Sequence, residues 1–167
     1  MATAYVYSPI TAWALVHDST HNACNGGYRM VDIAKWDTVW HSARLYVSNN
    51  VKSVRFTRTD NCAPGCNSNL RNAVKVDLYG STNASGYYFG WVLYGHLSFA
   101  IGNGTWNLAG SNYSNGVQLG YVVPYDPNCS TYYSGAHIHM ETSSGIRHPS
   151  NNNWVNRGTT VIYSFPF

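Results

Sequence analysis

No stretch of this 167-residue chain holds an apolar stripe at i, i+3, i+4 and i+7 over three helical turns without a Gly or Asn cluster breaking it. An amphipathic helix needs that stripe, so the core has to come from strands. Short runs of strand character recur at 28–34, 44–47, 51–57, 73–79, 88–97, 118–123, 137–142 and 159–165. Ala73-Val74-Lys75-Val76-Asp77-Leu78 alternates as a half-buried strand does. Turn-forming segments separate the runs, at 49–50, 60–69, 80–86, 102–116 and 124–134. The last two are long for a compact domain, and loops of that length commonly carry function. The expected fold is all-β, a single antiparallel β-sheet domain over residues 1–167 with an open groove, long loops and little helix.

Composition supports this and narrows the function. Charged residues make up 10% of the chain, against roughly a quarter in ordinary globular proteins. Tyr, Trp, Gly, Asn and Ser fill the space instead, and aromatic residues suit pleated surfaces. The apolar content of 44% is too high for disorder, and the length suffices for one real core. Net charge is +3, but the basic residues never form a run, so no nucleic-acid footprint is visible. A mild positive charge suits an anionic polymer such as a bacterial cell wall, and many other partners equally. No apolar segment is long enough for a membrane span. No signal peptide is present, so a secreted form would have lost its export signal, with Met1 supplied by expression.

Four cysteines, Cys24, Cys62, Cys66 and Cys129, suggest two disulfides and an oxidising, extracellular compartment. Three pairings are open. A zinc knuckle on Cys62-x3-Cys66 is the competing reading, with a spacing wrong for the usual two-residue knuckle.

The segment Gly135-Ala136-His137-Ile138-His139-Met140-Glu141 reads as a strand with two histidines one residue apart. Strand side chains alternate faces, so His137, His139 and Glu141 share one. Two such imidazoles can share a metal, or one can bind it while the other handles protons. Taken singly, each histidine is more often a surface or core side chain. The context is richer than a single pair: Tyr94-Gly95-His96-Leu97-Ser98 ends another apolar run, and Asp32 stands alone in Met30-Val31-Asp32-Ile33-Ala34. Zinc hydrolysis needs three protein ligands, an open fourth position and a base nearby.

Together with Gln118-Leu119-Gly120-Tyr121-Val122, these segments reproduce an ordered pattern. Over about residues 24–145 the chain resembles the lysostaphin-type zinc endopeptidases, nearest the beta-lytic and staphylolysin branch. That family reads Val-Asp-Ile-Ala, Tyr-x-His-Leu-Ser, Gly-Gln-x-Ile-Gly and Gly-Pro-His-Leu-His-Phe-Glu. The resemblance implies that Asp32 and His139 bind Zn2+. It implies that His96 and His137 flank the water at the metal, one as general base and both steadying the oxyanion. Glu141 matches the trailing Glu and would orient a ligand. Ala136 replaces the family's proline, loosening the turn into the strand.

The first histidine ligand departs from the common spacing, four residues before the aspartate, where this chain has Tyr28. The branch places it a dozen or so residues ahead, across a Gly/Asn/Ser-rich loop before Gly-Tyr. His21 stands eleven before Asp32 with Gly27-Tyr28 following, and is the expected ligand. His17, His41 and Tyr28 are the alternatives. The resemblance also implies a bridge from Cys129 to Cys62 or Cys66, with Cys24 taking the other, a staple near the site. A hydroxyl from Tyr94, Tyr132 or Tyr133 could support the oxyanion, although most tyrosines here would simply pack. The implied activity is hydrolysis of peptide cross-links or stem peptides of bacterial peptidoglycan by a secreted monomer, with loops 102–116 and 124–134 as groove walls. Two other classes stay open: an inactive relative that binds cell wall or a partner, and an unrelated β-sandwich lectin stacking its aromatics on sugars.

Overall fold

The computed structural model describes residues 2–16, 30–60, 72–126, 131–132, 135–151 and 153–167. Its strands, all paired antiparallel, form two large sheets and one small hairpin. The seven-stranded sheet runs, in spatial order, β2 (Ala14–Val16), β3 (Met30–Ala34), β13 (His137–Thr142), β7 (Ser85–Gly95), β6 (Ala73–Ser81), β5 (Ser53–Thr59) and β9 (Gly104–Asn107). The six-stranded sheet runs β14 (Ile146–Arg147), β15 (Val161–Phe165), β1 (Ala4–Tyr7), β4 (His41–Val47), β10 (Val117–Val122) and β8 (Leu97–Ser98). The hairpin pairs β11 (Tyr125–Asp126) with β12 (Thr131–Tyr132). A single helix among the described residues, α1 (Ser111–Asn115), spans little more than one turn.

Both large sheets contribute to one continuous core. Val31, Ile33, Val74, Val76, Leu78, Tyr94, Ile138 and Met140 from one meet Val6, Leu45, Leu119, Ile162 and Phe165 from the other. The Tyr163 hydroxyl crosses this layer and donates to the Met140 carbonyl at 3.1 Å, tying β13 to the opposite sheet. Because strand side chains alternate, a core-facing Ile138 and Met140 leave His137, His139 and Glu141 on the opposite face of β13. The same parity puts Val31 and Ile33 in the core and turns Asp32 outward.

All eight runs expected from sequence contain a strand; 137–142 matches β13 at both ends and the others are shifted. The 88–97 run breaks at Gly95, because His96 adopts the left-handed conformation at φ 65°, uncommon outside glycine. The 102–116 segment is no plain loop: it holds β9 and α1. Strand β9 pairs with β5 on the far edge, four strands from β13, or about 19 Å at ordinary strand spacing. That position places it away from the expected groove wall beside the histidines. The second expected wall, 124–134, includes the β11–β12 hairpin and leads directly into Gly135. No helix among the described residues is long and apolar enough to cross a membrane.

Candidate metal centre

Strands β3 and β13 pair so that His139 lies directly opposite Asp32, with His137 opposite Ala34 and Glu141 opposite Met30. Directly opposed residues place their side chains on one face with Cβ atoms about 5 Å apart. The His139 Nδ1 stands 3.1 Å from Asp32 Oδ1, and its Nε2 stands 3.0 Å from Glu141 Oε1. The imidazole is therefore clamped between two carboxylates at its two nitrogens. Glu141 is 2% exposed, flanked across the strands by Met30 and Leu93. Burial opposes protonation of His139, but the bonds and charges of Asp32 and Glu141 outweigh it and lift its pKa to about 9.

The two remaining histidines of the motif join this pair. Strand β7 lies on the other side of β13 with Gly95 opposite His139, so the chain leaves the sheet beside the site. Had it continued as a strand, His96 would share the core-facing parity of Tyr94. The left-handed turn at His96 redirects it, and its ring lies 5.0 Å from that of His137 and 5.9 Å from that of His139. Such strained non-glycine positions cluster at functional sites. His137 is held by a 2.9 Å bond from Nδ1–H to the Gly135 carbonyl, which assigns Nε2 as its acceptor nitrogen.

Trp36 packs its ring 4.9 Å from that of His137, a contact that strand periodicity does not reveal because Trp36 follows β3 in a left-handed turn at φ 53°. The fit requires Gly135: a Cβ there would stand 2.7 Å from the Trp36 backbone, at a φ of 124° that side chains rarely adopt. The backbone then closes the turn with Lys35 and Trp36 both donating to the Ala136 carbonyl, and Ala136 donating to that of Asp37. Ala136 is fully buried, so this turn is pinned despite lacking proline.

Tyr94 does not reach the site. It lies opposite Met140 in register, fully buried in the core, and its hydroxyl has no hydrogen-bond partner among the described residues. His41 is engaged elsewhere: Nε2 lies 2.8 and 3.0 Å from the two carboxylate oxygens of Asp37. His17, His21, Tyr28, Tyr133 and all four cysteines lie outside the described residues, as does the side chain of Tyr132. Among the described residues no group of three or more His, Cys, Asp and Glu side chains is placed to hold an ion.

The donors present suit a divalent metal. Two ligands each about 2.1 Å from a tetrahedral zinc stand about 3.4 Å apart, close to the 3.1 Å between His139 Nδ1 and Asp32 Oδ1. Metal-binding histidines commonly bond a carboxylate through their other nitrogen, which fixes the tautomer and raises basicity; Glu141 occupies that place. Comparison of the chain with family models, curated proteins and solved structures finds no match.

Proposed function

We propose that this protein is a zinc-dependent endopeptidase that hydrolyses peptide cross-links or stem peptides of bacterial peptidoglycan, acting outside the cell as a monomer. The observation that carries the reading is the Asp32–His139 pair, set face to face by strand register with Glu141 behind it and two imidazoles beside it. Asp32 and His139 would hold the ion, with His21 as the third ligand. A bound zinc supplies Lewis acidity toward a scissile carbonyl and toward water.

The chain's own groups account for the proton movements. With Nδ1–H donated to Gly135, His137 presents a basic Nε2 that accepts the proton of the attacking water. The same imidazolium then returns it to the departing amine. His96, beside it, donates to the oxygen on which negative charge develops, the kind of preorganised contact that lowers such barriers. The bond to Gly135 orients the His137 ring, and Trp36 packs beside it.

Zinc content and lysis of purified cell walls test the assignment together. Asp32→Ala and His139→Ala are each expected to lose stoichiometric zinc and all lysis; undiminished lysis by either refutes the ligand pair. His137→Ala is expected to keep zinc and lose lysis, and loss of metal instead would exchange the roles of the two histidines. A parent protein that binds walls without stoichiometric zinc would be a non-cutting binding module.

A further inference from the structure

A cavity of about 270 Å³ opens among residues that follow β1 and β3 and begin β4. Its described lining includes the cations Lys35 and Arg157, the hydroxyl residues Thr11 and Ser42, the apolar Ile10 and Trp40, and His41, whose Nε2 is taken by Asp37. No acidic residue is among the described lining residues; the nearby Asp37 carboxylate is held by His41 through both oxygens. The described lining therefore combines a net positive charge with apolar surface.

The cations are set in place rather than loosely displayed. Arg157 donates from its backbone N–H to the Thr11 hydroxyl at 3.1 Å and from Nε to the Tyr46 hydroxyl at 2.7 Å. That leaves its planar head with two further nitrogens able to grip an anion. Lys35 Nζ sits 5.3 Å from the centre of the Trp154 ring, which is stacked on Trp13 at 4.2 Å. A planar guanidinium matches a carboxylate in two-point geometry. The Trp40 wall asks for a small aliphatic group beside the acid, which a bare phosphate lacks. The volume falls below the roughly 300–1,000 Å³ of drug-sized sites, so the occupant is one end of a small molecule or peptide.

We propose that this cavity binds the free carboxylate of a short peptide with small side chains. Lys35 follows directly on β3, the strand that carries Asp32, so the cavity adjoins the end of that strand. The role as an anchor for the peptide being cut rests on the endopeptidase reading; the cavity's affinity for a peptide carboxylate does not.

Calorimetric titration of the 167-residue chain with trialanine and with trialanine amide tests the site. The acid is expected to bind at least about tenfold more tightly than the amide, the usual worth of a charge-assisted contact. Lys35→Met and Arg157→Gln should each remove most of that preference and leave the weak amide binding unchanged. If Arg157→Gln fails to fold, Lys35→Met alone decides. Repeating the titration with Asp32→Ala removes any contribution from bound metal, so a failure of the zinc assignment leaves the acid preference intact. Equal binding of acid and amide, no acid binding, a preference untouched by Lys35→Met, or inorganic phosphate binding as tightly as trialanine would each overturn the proposal.

Discussion

Glu141→Gln isolates the contribution of the carboxylate behind the metal pair. Gln keeps the shape and an acceptor oxygen, so the 3.0 Å contact with His139 Nε2 changes from charged to neutral while the packing between Met30 and Leu93 persists. A hydrogen bond to a charged group contributes about 1.5–3 kcal/mol and a neutral one about 0.5–1.5. The loss is therefore about 1–2 kcal/mol, or roughly 5–30-fold in zinc affinity. That overlaps the roughly 10–100-fold typical when the carboxylate supporting a metal-binding histidine is removed. The side chain is 2% exposed, so solvent cannot replace the missing charge. The assay is competition against a chromophoric zinc chelator at neutral pH, with far-ultraviolet circular dichroism confirming the fold. An affinity within about twofold of the parent would refute the idea that Glu141 tunes a ligand through His139.

Two further predictions concern stability. In metal-stripped protein His139 holds its proton more tightly when folded, at about 9, than in the unfolded chain, near the ordinary 6.5. Its contribution is fully present below about pH 6.5 and is lost as pH rises through 9; urea midpoints should fall across that window by an amount equivalent to about 3 kcal/mol, and a midpoint that rises would contradict the clamp. Tyr94→Phe removes a buried hydroxyl that lacks a partner among the described residues, so thermal unfolding should show no loss and up to about 1 kcal/mol of gain; a loss above about 1 kcal/mol would mean the hydroxyl is bonded.

Period-2 patterning made the strands of both sheets readable, because each buries one face and the apolar residues fall on alternate positions. It also put His137, His139 and Glu141 on one face of a strand before any fold was known. Two apolar strands lie outside the expected runs, Ala14–Val16 at one edge and Ala4–Tyr7 inside the six-stranded sheet, where four residues are too few for a clear alternation. Other missed strands are short or polar: Ile146–Arg147 has two residues, and Gly104–Asn107 is exposed throughout. Edge strands of that kind carry almost no hydrophobic signal, so a long polar segment reads as loop until its backbone finds a neighbour.

What the linear chain determined by itself is a β-rich fold and a set of metal-suited side chains, since alternation and residue type are local properties. Which of those side chains meet was a matter of register and turn geometry. A one-residue slip between β3 and β13 would send Asp32 and His139 to opposite faces, and only the left-handed turn at His96 brings its ring to the other two. Neither is a local property, because strand register depends on pairs more than a hundred residues apart and the turn on where the next strand must pair. Tyr94 and His41 show the converse: both stand near the motif in sequence or chemistry, and tertiary packing directs one into the core and the other to Asp37.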